Sequence, residues 1–67
     1  MSEAQALRIA HSDEGQHILK MVRNVENGHL PVGNVNFACV ITLAVWGYIH
    51  MQAGVVGLTI KGREEIL

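Results

Sequence analysis

The chain has 67 residues, 49% of them hydrophobic, with five Lys or Arg against six Asp or Glu and a net charge of −1. A domain of this size buries only about 60% of the surface its unfolded chain exposes, so residues 1–67 read as a single domain with apolar surface left over for a homodimer or a protein partner. The charge balance counts against a strongly basic nucleic-acid binder, and a lone Cys39 excludes an internal disulfide and fits a cytoplasmic setting.

In chain order, Ala4, Leu7, His11, Gly15, Ile18, Leu19, Val22 and Val25 recur at spacings of three and four, which predicts helix over residues 2–27. Ser2 with Gln5 suits a cap at its start. Ser12, Asp13, Glu14 and Gly15 leave open a division into a short first helix and a second from about residue 13, capped through Asp13 and Gln16. Asn27 and Gly28 read as a stop, with the glycine in the left-handed conformation. The acidic start contains no apolar core of signal-peptide length.

Residues 29–34 read as a connection punctuated by Pro31 and Gly33. Over residues 35–46 two periodicities coexist. Phe37, Val40, Ile41, Ala44 and Tyr48 fit a helix face, while Val35, Phe37, Cys39, Ile41, Leu43 and Val45 alternate as in a strand, and periodicity alone does not decide. Residues 46–50 end one element and open an extended one, and residues 51–54 make a tight turn. Val55, Val56 and Leu58 then form a strand that feeds a short helix capped by Thr59.

Leu43, then Gly47, Tyr48 and Ile49, a hairpin, and finally Leu58, Thr59, Ile60, Lys61, Gly62 and Arg63 resemble the C-terminal half of winged helix-turn-helix domains over residues 43–67. The resemblance implies a small α+β winged-helix domain: an N-terminal helix or helices, a central apolar helix, a two-stranded β-hairpin and a short C-terminal helix. It also resolves residues 35–46 as helix, because that family packs a helix just before the glycine and aromatic residue that open the hairpin. One departure is that six residues separate Gly28 from Val35, whereas a helix-turn-helix joins its helices by three or four.

The ligand implied by the resemblance is double-stranded DNA, bound by a transcription regulator. Asn34, Asn36 and Thr42 are then the polar groups of the recognition helix, since asparagine pairs with adenine in the major groove. Gln52 lies on the wing, and Lys61 and Arg63 reach phosphate from the last helix. Each has a plainer reading: Asn34 caps the helix, the hairpin closes the core, and Lys61 and Arg63 are balanced by Glu64 and Glu65. With no Asp, Glu, Lys or Arg in the 34 residues from Asn27 to Ile60, DNA binding is expected to be weak and salt-dependent.

The alternative is a protein-interaction or inhibitory module, of the kind a small phage or mobile element encodes, binding through an apolar surface. The two differ in where charge falls. A DNA binder gathers Arg8, Lys20, Arg23, Lys61 and Arg63 on one face; an interaction module shows a continuous apolar patch drawn from residues 35–49. Enzyme chemistry, a cofactor and a small-molecule substrate are not expected, because Cys39 in an apolar run stays protonated and inert. His11, His17, His29 and His50 match no compact zinc spacing, so no metal is expected. Nor is membrane insertion, since the most apolar stretch, residues 35–49, falls short of the ~20 residues a spanning helix needs.

Overall fold

The computed structural model describes residues 1–30 and 35–66. It is an α+β domain in which helices α1 (Glu3–His11), α2 (Asp13–Val25) and α3 (Phe37–Val45) pack against an antiparallel sheet of β1 (Gly28–His29), β2 (Ile49–Gln52) and β3 (Val55–Leu58), and a π-helical turn, Gly62–Ile66, closes the described chain.

α1 begins at a full capping box. Ser2 Oγ accepts from the Gln5 backbone and Gln5 Oε1 accepts from the Ser2 backbone, which satisfies two N–H groups that no helical carbonyl reaches. The predicted division of the N-terminal stripe is present, but its cap is Ser12 rather than Asp13. Ser12 Oγ accepts from Gly15 N at 3.1 Å, leaving Asp13 and Glu14 in the first turn, where their charge complements the helix dipole. Gln16 is not a cap residue. Its amide nitrogen instead donates to Ala10 O at 3.0 Å, tying α2 to the end of α1.

The fully buried residues of α1 are Ala6 and Ala10, small enough to lie close against α2; of the expected stripe Leu7 packs partly buried against the core, while Ala4 and His11 are exposed. A side chain at Gly15 would collide with the Ile9 carbonyl at this corner. In α2 the predicted Gly15, Ile18, Leu19 and Val22 are all buried.

At the end of α2 the left-handed residue is Asn27, with φ 63°, rather than Gly28. Asn27 N donates to Val56 O at 2.8 Å, and the chain continues directly into β1. The sheet is therefore three-stranded in the order β1-β3-β2, not the two-stranded hairpin expected from the sequence, and His29 belongs to a strand instead of a connection. β1 is only two residues long and leaves no periodicity to read. Residues 31–34, including the rest of that expected connection, lie outside the described residues.

β2 and β3 pair Ile49 with Leu58 through Gln52 with Val55, so the turn is the two-residue loop Ala53 and Gly54. Both take positive φ, 53° and 80°, the handedness that matches the twist of a hairpin. Tyr48, Ile49, Val56 and Leu58 meet Ile18, Leu19 and Val22 of α2 and Val40 and Leu43 of α3 in one core. Thr59 caps the last turn as predicted, accepting from Gly62 N at 3.0 Å and donating to the Gly47 carbonyl. Gly62 lies against Tyr48 O too closely for any side chain, which fixes the turn to the root of the hairpin.

Candidate functional site

The central apolar segment is helical, as the resemblance implied, and its ends explain where it starts and stops. Asn36 is the N-cap: its Oδ1 accepts from Ala38 N at 3.0 Å and Cys39 N at 3.3 Å. At the other end Gly47 takes φ +80°, Gly47 N donates to Ala44 O and Tyr48 N donates to Leu43 O, the paired bonds of a Schellman stop.

The inward face of α3 is Cys39, Val40 and Leu43. This corrects the expected face of Phe37, Val40, Ile41, Ala44 and Tyr48, of which Phe37 and Ile41 point outward. Phe37, Ile41 and Val45, at spacings of four, are 50%, 45% and 75% exposed and form an apolar stripe with Ala38 and the half-buried Thr42 beside it. Counting three-and-four spacing alone missed this stripe because the helix is apolar on every side. The inward run at Cys39, Val40 and Leu43 satisfies that spacing equally well.

The stripe continues past the helix at its start. Near its start, Phe37 and Met51 line a groove of about 470 Å3 together with His29, Leu30, Ala53, Gly54 and Val56. His29 Nδ1 lies 3.3 Å from the Gly54 carbonyl, which it reaches as a donor in the Nδ1–H tautomer. Near the far end, Lys61 Nζ donates to Trp46 O at 3.2 Å and Thr59 Oγ1 donates to Gly47 O, which tie the segment carrying the exposed Ile60 to the residues that follow α3. Of the six exposed large hydrophobic side chains, Phe37, Ile41 and Val45 lie on α3, Met51 shares a groove with Phe37, and Met1 shares a recess with Ala38 and Thr42.

The residues singled out for DNA do not form one group. Asn36 is on the helix but its carbonyl oxygen is committed to capping, and Thr42 Oγ1 donates to Ala38 O at 2.9 Å. Gln52 is exposed at the hairpin, in β2 beside the turn. Lys61 is held over the Tyr48 ring, 4.9 Å from its centroid, as well as on Trp46 O. Arg63 pairs with Glu26 at 3.2 Å, and not with Glu64 or Glu65. Asn34 lies outside the described residues. Arg8 belongs to α1, and Lys20 and Arg23 to α2.

Beside the stripe, Asn36, Ala38, Cys39 and Thr42 line a recess of about 360 Å3 with Met1, Ile9, Ser12 and Glu14. Burial pushes the Cys39 thiol above the ordinary range, and the Glu14 carboxylate adds to the shift, so the sulfur is a protonated packing group. Among the described residues no three or more His, Cys, Asp or Glu gather to hold a metal, and no helix is long and apolar enough to cross a membrane.

No protein-family model, curated protein or solved structure matches the chain.

Proposed function

We propose that the protein is a non-catalytic binding module of winged-helix type, and that it works by gripping another protein through the outer face of α3. The winged-helix reading is supported by the residues shared over 43–67, by α3 leading through Gly47 into the hairpin, and by the antiparallel sheet. The observation that carries the choice of partner is the composition of α3. The surface that a DNA-reading relative would present to a major groove here offers Phe37, Ile41 and Val45, with no charged residue between Asn27 and Ile60. Contiguous exposed apolar side chains mark protein contacts, whereas affinity for DNA comes first from cations on phosphate.

Two of the five cations are engaged within the chain, Lys61 on Trp46 O and Arg63 on Glu26. A buried, reduced thiol suits work in the cytoplasm. The reading is tested by titrating mixed-sequence duplex at several salt concentrations. No binding is expected even at low salt. Binding whose log-affinity falls with log-salt at a slope near −2.7, the value for about three phosphate contacts, would overturn the proposal. A slope that then shrank by roughly two on replacing Lys61 and Arg63 by Ala, at ~0.9 per contact, would assign two of those contacts to the closing turn.

A further inference from the structure

The groove at the start of α3 has a lining that selects what enters it. We infer that it receives an aromatic side chain carrying a hydrogen-bond donor, the indole of a tryptophan, presented by the protein that α3 grips. This rests on the protein-binding reading of α3 and adds the side chain by which the partner is anchored.

The site is assembled from distant parts of the chain. β1 contributes His29, α3 its first residue Phe37, β2 Met51 and β3 Val56, with Ala53 and Gly54 from the turn between the last two. Met51 and Val56 are cross-strand partners, so their side chains share one face of the sheet. Val56 is buried, whereas Phe37 and Met51 leave apolar surface open. The volume of about 470 Å3 falls in the range of sites that enclose a compact ligand group, about 300–1,000 Å3. Among the described residues no Asp, Glu, Lys or Arg lines it.

This lining favours a ring over an aliphatic group. Phe37 offers a ring that pairs offset or edge-to-face with another, and the Met51 thioether makes its favourable contacts at a ring edge. The titratable side chain here is His29. Its Nδ1 lies 3.3 Å from the Gly54 carbonyl, an oxygen that can only accept, so Nδ1 carries the proton. In the neutral ring Nε2 then holds a lone pair and accepts. A matching occupant brings a donor, which Phe, Leu and Ile lack. A tyrosine hydroxyl donates too, but its own lone pairs would be left without partners in an apolar groove, and that is costly. The indole N–H is a donor only.

A second copy of this chain cannot supply that ring. The single Trp, Trp46, is half-buried and packed against its own core, Tyr48 is fully buried, and Phe37 has no donor and is part of the groove wall. The occupant therefore belongs to a different protein. Well-packed pockets at protein interfaces are the places where a partner's tryptophan contributes most of the affinity.

Methyl NMR of the full chain titrated with N-acetyltryptophanamide tests this. Shifts are expected at the methyls of Leu30, Met51 and Val56, with those of Ala6 and Ala10 on α1 unmoved, and half-saturation at about a millimolar. The analogue methylated on the indole nitrogen has no donor and should bind about fivefold more weakly. Phe37→Ala, at an exposed position, should retain the wild-type circular dichroism and weaken binding by about fivefold or more. Absence of shifts at Leu30, Met51 and Val56 overturns the inference and leaves the α3 reading to the duplex titration. Equal binding by the N-methyl analogue removes the role of His29 and overturns the choice of tryptophan. Free indole binding about tenfold tighter than the capped residue identifies a small-molecule site and overturns the assignment to a partner's side chain.

Discussion

At the scale of single residues, Tyr48 combines two roles that a substitution separates. Its ring is fully buried beneath the Lys61 ammonium, and its hydroxyl has no hydrogen-bonding protein group among the described residues. A buried hydroxyl left without a partner costs about 1–3 kcal/mol, whereas the ring and its cation contact do not need the oxygen. Tyr48→Phe is therefore expected to raise stability by about 1 kcal/mol, the low end of that cost. In a domain of this size that corresponds to a melting temperature higher by about 4–8 °C, and a thermal melt showing a clear fall would contradict the assignment. Lys61 illustrates the limit of reading charge from sequence. It looks like a free cation in a terminal run, yet its partners are a main-chain carbonyl and a ring fifteen and thirteen positions earlier.

At the scale of elements, local chemistry accounts for most boundaries. Ser2 with Gln5 and Thr59 with Gly62 are legible as caps because the groups that meet are three positions apart. The turn between β2 and β3 departs from the residues that such a turn favours. Two-residue loops with both φ positive prefer Asn-Gly, but here Ala53 holds φ 53°, a conformation that costs an L-residue with a Cβ about 1–2 kcal/mol. Ala53→Asn, whose exposed side chain meets no packing constraint, is expected to recover roughly 1 kcal/mol, read as a higher urea midpoint at unchanged slope. A lower midpoint would show that the loop is shaped by something other than its own backbone.

What stayed illegible depends on distance along the chain or on missing contrast. β1 exists because Gly28 and His29 meet Val56 and Val55, partners nearly thirty residues away, and two residues carry no alternation by which to announce it. For α3 the helical state needed the resemblance to break a tie. Its inward side was only partly legible: Val40, Ala44 and Tyr48 of the expected face do pack inward, but mutually apolar faces give the same periodic signal and only the packing against the rest of the core separates them from Phe37 and Ile41. The candidate surface was half visible: the sequence located the uncharged span of residues 27–60, but not that Phe37, Ile41 and Val45 lie outside.

At the scale of the whole molecule, the chain is divided by charge. α1, α2 and the closing turn hold every Lys, Arg, Asp and Glu apart from Glu26 and Lys61, which directly adjoin them, while β1, α3 and the hairpin hold none. The division runs along the chain rather than through space, since Glu14 lines a recess with Ala38 and Thr42 of α3. That the outer face of α3 serves a protein rather than DNA is tested most directly by the methyl NMR spectrum of the chain followed through a titration with mixed-sequence duplex at low salt. No shift is expected at Ile41 or Val45. Duplex-dependent shifts gathered on Ile41 and Val45 would contradict it.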